Sequence, residues 1–351
     1  MPTKSFHNVA SREGGKYTLA IADVEPELKT NGMARLFDVV HRRQVCEFPV
    51  RYECAGGPRH TLSRDETICL AGCYDAYGIA GYSIPEGREI WRRKDLKSVQ
   101  TVEPLYDSDF VFCGREKGAA HLLNSQTGAT VEQFAGIKGL YASPADSSVV
   151  LSGKVLEIQR PFGRKIASLR GNGFIRQAVF SKSSVLLDGF EEVRCVDLMS
   201  GDLMWALKPN DKERHSAFCW STTRSCFIAI ANRRAGECFV ALNPSTGQPH
   251  DEIPYEGRGT GAFCHQGDYW LQGDLRLYST SDGSVVHDFT TEAMLRRDPR
   301  YKRELLLSLA RDAKSPTDLE KYMVNEGFSL VDIKNALLLQ MAEDLRKRRS
   351  K

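Results

Sequence analysis

The chain has 351 residues, of which 41% are hydrophobic and 26% are charged, and its formal net charge is +3. These values are ordinary for a folded globular protein and exclude global disorder, and the small net charge does not by itself indicate a polyanionic partner. No apolar run approaches the roughly 20 residues that a membrane-spanning helix needs.

The start of the chain and the cysteines indicate the compartment. Residues 1–12 are polar and lack the apolar core of a secretory signal. Most of the ten cysteines, Cys69 and Cys113 among them, lie in strand-like apolar runs, where free thiols behave as small buried residues. No Cys-x-x-Cys pair is present, and Cys69 and Cys73 lack histidines at zinc-site spacing. The sequence therefore predicts a cytoplasmic protein without a metal, a cofactor or a membrane partner.

Seven short polar turns divide the chain into units, each turn standing between two apolar runs. The first turn, residues 38–42, closes on Arg42, whereas the other six close on glycine: residues 83–87, 124–128, 159–163, 197–201, 243–247 and 279–283. Successive closing residues are about 35 to 46 residues apart, a period typical of β-propellers. This repeat predicts an all-β fold, a seven-bladed β-propeller.

Each unit is predicted to contain four strands. The fifth unit has apolar runs at 176–180, 185–188, 193–198 and 203–207, and the sixth and seventh units repeat the pattern. The polar turn is then the hairpin between the third and fourth strands. Asn, Asp and Ser start such turns through side-chain bonds to the backbone, and Gly supplies the positive φ at the end. The recurring turn is therefore interpreted as a folding device with no catalytic meaning.

Two of these units resemble the quinoprotein-type propeller repeat, Asp-x-x-Thr-Gly-x-x-x-Trp. Residues 193–205 end in Gly201 and Trp205 at this spacing, and Gly87 and Trp91 repeat it. In such repeats the Trp on the outer strand packs between neighbouring blades. WD-repeat propellers are similar in blade shape, but their Gly-His and Trp-Asp dipeptides are missing here. The resemblance implies either an exported pyrroloquinoline quinone and calcium enzyme or a non-enzymatic protein-binding scaffold, and this chain fits the scaffold better.

The last part of the chain changes from strand to helix periodicity. Apolar residues recur at helical spacing, for example at Leu305, Leu309, Ile333 and Leu337. Helix-capping residues at 315–318 and 329–332 support about three helices. We therefore expect two domains, a propeller over residues 1–289 and a small helical appendage over 290–351. The helices are expected either to pack on the propeller or to bind a partner.

The predicted binding site lies on the propeller face that carries the loops leading into the inner strands. These loops and those between second and third strands are rich in Arg, Lys and aromatic residues, which are common in binding interfaces. The expected partner is another protein with an acidic surface. The candidate residues are Arg51, Tyr52, Tyr74, Tyr77, Arg115, Lys117, Lys138, Tyr141, Phe174, Arg176, Arg214, His215, Arg233, Arg234 and Arg258.

No catalytic constellation is recognisable in the sequence. The eight histidines are scattered, and neither a nucleophile elbow nor a phosphate loop is present. The terminal basic run 346–351 lacks interleaved aromatic residues, so nucleic acid is not an expected partner. The sequence predicts a non-enzymatic interaction scaffold or inhibitor, such as an immunity or antitoxin-type protein. The alternatives are an adaptor in a larger cytosolic complex, or a quinoprotein-like or sugar-ligand enzyme that uses the central channel.

Overall fold

Seven four-stranded antiparallel sheets follow one another along the chain in this computed structural model. The structure describes residues 8–11, 15–23, 31–51, 59–73, 77–105, 108–169, 175–189, 191–208, 214–233, 236–257 and 261–289. Contacts divide the chain into two compact units, Met1–His287 and Asp288–Lys351. The helices predicted beyond residue 290 lie outside the described residues.

The first four blades contain strands β1 to β16. Blade 1 has β1 (Asn8–Ser11), β2 (Thr18–Asp23), β3 (Asn31–Asp38) and β4 (Arg43–Arg51). Blade 2 has β5 (Arg59–Leu62), β6 (Ile68–Gly72), β7 (Ile79–Ser83) and β8 (Glu89–Arg93). Blade 3 has β9 (Val99–Pro104), β10 (Phe110–Arg115), β11 (Ala120–Asn124) and β12 (Thr130–Phe134). Blade 4 has β13 (Ile137–Ala142), β14 (Val149–Gly153), β15 (Leu156–Gln159) and β16 (Lys165–Leu169).

The last three blades contain strands β17 to β28. Blade 5 has β17 (Ile175–Phe180), β18 (Ser184–Gly189), β19 (Val193–Asp197) and β20 (Leu203–Leu207). Blade 6 has β21 (Arg214–Ser221), β22 (Cys226–Arg233), β23 (Gly236–Leu242) and β24 (Pro249–Pro254). Blade 7 has β25 (Gly261–Cys264), β26 (Tyr269–Gln272), β27 (Arg276–Ser279) and β28 (Val285–Asp288). These bounds confirm the seven-bladed propeller that the repeat predicted.

Among the described strands, the ring closes by packing and without a strand shared between two blades. Each blade is built from four consecutive strands, and the first strand of each blade contacts the first strand of the next. The strand β1 lies beside β25, so the first blade contacts the last.

The core lies in the layers between blades. Second strands such as β6 and β14 are short, largely apolar runs that are buried along their whole length, as expected for strands covered on both faces. One core cluster joins β2 and β3 of blade 1 to β6 and β7 of blade 2, and another joins blades 5 and 6. Outer strands such as β12 are mostly exposed because they form the rim of the disc.

The hairpin between third and fourth strands closes on a residue with positive φ in every blade. The six closing glycines have φ values between 65° and 94°, and Arg42, which takes the glycine position in blade 1, has φ 55°. The starting residue caps the turn through its side chain, and Asp197 Oδ1 accepts hydrogen bonds from the N–H groups of Met199 and Ser200, both at 2.8 Å. The predicted role of the hairpin as a folding device is confirmed.

Two tryptophans connect outer strands to the hairpin of the next blade. Trp91 Nε1–H donates to the carbonyl oxygen of Ser125 at 2.8 Å, and Trp205 Nε1–H donates to that of Pro244 at the same distance. Each indole ring lies against the closing glycine of that neighbouring hairpin. A Cβ atom added to Gly247 would lie 2.6 Å from the Trp205 ring, so the contact requires glycine. Trp therefore packs between blades, as predicted.

Candidate functional site

The two faces of the disc carry different loops. The loops that lead into the inner strands, and the loops between second and third strands, lie on one face, which we name the loop face. The hairpins between third and fourth strands and the turns between first and second strands lie on the opposite hairpin face. This division follows from the antiparallel order of each blade. The residues that precede or begin the inner strands therefore belong to the loop face.

A cavity of about 610 Å³ runs between the inner strands, and residues from all seven of these strands line it. Its lining mixes aromatic side chains with polar ones. The aromatic members include Tyr141, Phe180, Phe218, Trp220 and Phe263. A volume in the range of roughly 300–1,000 Å³ is typical of small-molecule sites. The channel is therefore large enough to hold a ligand of that class.

Side chains on the inner strands β9 and β13 reach the backbone of the following blade. Thr101 Oγ1–H donates to the carbonyl oxygen of Lys138 at 3.3 Å, which joins blade 3 to blade 4. The hydroxyl of Tyr141 donates to the carbonyl oxygen of Ile175 at 2.7 Å, which joins blade 4 to blade 5. The Tyr141 ring lies over Gly139, so its hydroxyl extends back toward the loop face. Tyr141, a predicted site residue, thus also joins two blades through its hydroxyl.

Gln177 joins blades 5 and 6 through two hydrogen bonds to one residue. Its Nε2–H donates to the carbonyl oxygen of Phe218 at 2.7 Å, and its Oε1 accepts from the N–H of Phe218 at 2.9 Å. Phe218 follows Ala217, which has φ 49° and lies at a shift in the pairing of β21 with β22. The Gln177 amide therefore satisfies both backbone groups of Phe218 on the inner edge of β21.

Arg176 and Asp188 form an ion pair in the wall of the channel. Arg176 Nη2 lies 2.6 Å from Asp188 Oδ1, and the side chains are 44% and 4% exposed. Burial raises the pKa of Asp188, and the hydrogen bond and charge of Arg176 oppose that rise only in part. The predicted binding residue Arg176 thus has its charge compensated by a buried carboxylate.

A turn of left-handed residues lines the channel at the hairpin face. The φ angles of His265, Gln266 and Gly267 are 48°, 56° and 87°. This conformation is unusual for residues other than glycine and costs about 1–3 kcal/mol at each such residue. The Thr280 hydroxyl donates to the carbonyl oxygen of Gly267 at 2.6 Å and holds the turn in place. Cys264, which precedes the turn, ends β25 and is buried.

Four cations on blades 3 and 4 form what we name the cationic arc of the loop face: Lys97, Arg115, Lys117 and Lys138. Arg115 Nε–H donates to the carbonyl oxygen of Lys97 at 2.9 Å, and Lys138 Nζ donates to that of Glu116 at 2.6 Å. Lys97 and Lys117 are exposed. A carbonyl oxygen orients a cation without cancelling its charge. Among the described residues no carboxylate forms an ion pair with these four side chains.

Three further predicted residues have other surroundings. Arg233 donates two hydrogen bonds to the carboxylate of Glu252, at 2.5 and 2.7 Å, so its charge is compensated. The carbonyl oxygen of Tyr77 accepts a hydrogen bond from Arg92 at 3.2 Å. The ring of His215 lies 6.3 Å from that of Phe218. These residues do not join the cationic arc.

Several predicted residues lie outside the part of the chain that the structure describes. Arg51 and Arg214 are placed as strand residues, but their side chains are not described. The residues that are not described at all are Tyr52, Tyr74, Phe174, Arg234 and Arg258. Their place in the binding site stays a prediction.

The described thiols are buried or half-buried, and their pKa values are raised where a shift is resolved. Nine free cysteines are described, and burial raises the pKa of Cys113 and of Cys264 to about 12. A thiol with so high a pKa is protonated at neutral pH and is a weak nucleophile. Within the described ranges no three His, Cys, Asp or Glu side chains are grouped as a metal site would require.

Sequence reasoning missed Gln177 and the pairing of Arg176 with Asp188. Neither has a local sequence signal, because each depends on which residues of neighbouring strands or blades come together. Lys97 precedes an inner strand and was recognisable from that position. The paired acids Asp188 and Glu252 show why a count of loop cations overestimates the charge of the face.

Comparison with known proteins supports the fold alone. No protein-family model matches the chain, and no curated protein matches it. The crystal structure of the computationally designed Ika8 protein is similar, with a TM-score of 0.53 and 14% identity over 81% of this chain and 87% of that one. The structure of U3-55K has a TM-score of 0.57 and 9% identity over 77% of this chain and 88% of that one. In the described ranges, no helix has the length and apolar content that crossing a membrane requires.

Proposed function

We propose that this propeller is a non-enzymatic binding protein that uses the cationic arc of its loop face to hold an acidic protein partner. The fold is compatible with an interaction scaffold. The observation that supports the proposal most strongly is the geometry of Arg115 and Lys138, whose charged groups bind backbone carbonyl oxygens. Their positions are fixed while their charge remains available, and such preorganised charge favours rapid capture of an oppositely charged surface.

The narrower hypotheses both need such a partner. An immunity or antitoxin-type protein would cover a toxin with the arc, and an adaptor would use it to join a larger complex. In either case the partner presents Asp and Glu side chains to Lys97 and Lys117, which are the exposed members of the arc.

A pull-down from the native cell tests the proposal. The double variant Lys97→Glu, Lys117→Glu reverses two charges of the arc without removing a hydrogen bond made by either side chain among the described residues. The matched control, Arg164→Glu with Lys182→Glu, changes the same charge on exposed residues of the hairpin face. We expect wild type and control to recover the same stoichiometric partner, and the arc variant to recover at least about tenfold less. Equal recovery by both variants would exclude the arc as the binding site.

The size of the channel favours a second candidate, a small ligand or substrate held between the inner strands. The cavity of about 610 Å³ and its aromatic side chains suit a sugar or an aromatic cofactor. Native mass spectrometry of the full chain purified from its own cell distinguishes the two candidates. A stoichiometric small molecule with no protein partner would favour the ligand-binding alternative.

A further inference from the structure

The outer strand of blade 5 differs from the other outer strands in its sequence. Outer strands are sheet edges, and proteins protect edges from pairing with charged residues or proline. The other six outer strands carry such residues: Arg43, Glu47 and Pro49 in β4, Glu89 and Arg92 in β8, Glu132 in β12, Lys165 in β16, Pro249 and Asp251 in β24, and Asp288 in β28. The strand β20 reads Leu-Met-Trp-Ala-Leu and has neither.

This apolar edge is exposed to solvent. Leu203 is 54% exposed and Met204 is 38% exposed, and Met199 in the preceding hairpin is 77% exposed. Ala206 is also exposed. Trp205, in contrast, is only 8% exposed because its ring packs on blade 6. The strand is therefore held rigidly from one side while its unprotected edge faces outward.

Charges of opposite sign flank the strand. Asp202 immediately precedes β20 and Lys208 immediately follows it, and both are exposed. Neither side chain belongs to an ion pair with another described residue. A strand that runs antiparallel to β20 would meet a negative charge at one end and a positive charge at the other.

We propose that β20 pairs with β20 of a second copy of this chain, edge to edge and antiparallel, about a two-fold axis at Trp205. In this register Leu203 lies opposite Leu207, Met204 lies opposite Ala206, and Asp202 of each copy lies at the level of Lys208 of the other. The segment is thus complementary to itself in both apolar pattern and charge, as a two-fold interface requires. In this register no two charges of the same sign lie opposite each other in the shared sheet.

A β-bulge at Met204, adjacent to the proposed axis, offsets the Asp202 end of this register by one residue. The pairing of β19 with β20 shifts between Cys195 and Val196. The corresponding shift occurs in five other blades, so it does not set β20 apart. One residue of shift displaces a strand by about 3.4 Å, a distance that the long side chain of Lys208 spans. The two Asp202–Lys208 contacts therefore survive the bulge.

Sedimentation velocity of the full-length chain at about 0.1 M salt tests the proposal, since exposed charge pairs are not fully screened there. Wild type is expected to show a reversible monomer–dimer equilibrium. Ala206→Lys places a cation on the edge and should raise the dissociation constant at least about tenfold. Gln133→Lys is the matched control, because it makes the same change in charge at the equivalent position of β12 and should leave the equilibrium unchanged.

Charge exchange distinguishes self-pairing from a general edge effect. Asp202→Lys alone and Lys208→Asp alone each create two like-charged contacts and should weaken the dimer at least about tenfold. The double variant exchanges the two charges and should restore the wild-type dissociation constant to within about threefold. Urea unfolding confirms that each variant remains folded. A wild-type chain that is monomeric up to about 100 μM overturns the proposal. A dimer insensitive to Ala206→Lys, or a double variant as weak as the singles, overturns it equally.

Discussion

Arg42 has a backbone conformation that glycine adopts at the same position of the other six hairpins. Its φ of 55° places it in the left-handed region, where a Cβ atom costs about 1–2 kcal/mol. The residue is exposed and stands at the end of the first hairpin. The cost remains in the folded protein because the strands β3 and β4 on either side of the hairpin fix its geometry.

We expect Arg42→Gly to raise the free energy of unfolding by about 0.5 to 1 kcal/mol, because the relief of strain exceeds the added entropy of the unfolded chain. Urea unfolding measures this change. Arg88→Gly is the control, since Arg88 follows the closing glycine of the second hairpin and does not have a positive φ. That substitution should lower the free energy of unfolding. A loss of stability in both variants would contradict the strain at Arg42.

The equivalence of Arg42 with six glycines was predictable because it depends only on position within a local turn. The pairing of Arg176 with Asp188 was not predictable in the same way. It needs the register of β17 against β18, including a shift between Ile175 and Gln177 that the apolar pattern does not reveal. The sequence therefore predicted Arg115, Lys117 and Lys138 together with Arg176 and Arg233, and it could not separate the cations whose charge is compensated from those of the cationic arc.

At the level of elements, the strands and hairpins could be predicted from the sequence, whereas most contacts between blades could not. The predicted strands of blade 5 agree with β17 to β20 to within about one residue, since period and turn residues are local signals. The two bonds between Gln177 and Phe218 join residues of different blades. Only the recurring Gly-x-x-x-Trp spacing gave a contact between blades in advance. Its relation to quinoprotein repeats stays a prediction.

The contact of Trp205 with Gly247 can be separated from backbone strain by two alanine substitutions. Gly247 and Gly163 both have positive φ, at 70° and 94°, so alanine strains the backbone at either position. A Cβ atom at Gly247 would also overlap the Trp205 ring, whereas one at Gly163 would have no atom within 4 Å. We expect Gly163→Ala to cost about 1 kcal/mol and Gly247→Ala about 2–4 kcal/mol.

Urea unfolding of the two variants, together with the near-ultraviolet circular dichroism of the tryptophans, measures the difference. Gly247→Ala should change the tryptophan signal because the indole ring of Trp205 must move. Gly163→Ala should leave that signal as in the wild type. Equal losses of stability would mean that the packing of Trp205 on the hairpin contributes nothing beyond the backbone term.

At the level of the whole molecule, Asp38, Asp65, Asp197 and Asp282 cap turns of the hairpin face, and their pKa values are lowered. Backbone N–H groups of Ser200 and Met199 lower the pKa of Asp197, and that of Ser284 lowers the pKa of Asp282. In Asp38 and Asp65 burial acts to raise the pKa, and hydrogen bonds within the turn outweigh it. The disc therefore has a set of ionised turn caps spread around one face.

These caps predict a loss of stability in acid. Because the folded pKa lies below the unfolded value of about 3.9, the unfolded chain binds more protons as the pH falls below about 5. The stabilisation is complete above that range and is lost as the pH falls through the folded pKa. The contribution of Asp188 to the free energy of unfolding has the opposite pH dependence. The pKa of Asp188 is raised in the folded protein, so this contribution is lost as the pH rises through that pKa.

The variants Asp197→Asn and Asp188→Asn separate these two pH dependences. Urea unfolding of each variant is followed from pH 3 to pH 7, a window of about four units that includes the unfolded pKa. Asparagine keeps an oxygen that accepts the backbone bonds of the hairpin but does not titrate. The advantage of the wild type over Asp197→Asn should shrink toward low pH, whereas its stability relative to Asp188→Asn should improve there. The opposite slopes follow because Asp197 binds its proton less readily in the folded protein and Asp188 binds its proton more readily. Parallel profiles for the two variants would show that neither the hydrogen bonds of the hairpin nor the burial of Asp188 in the channel wall controls proton binding.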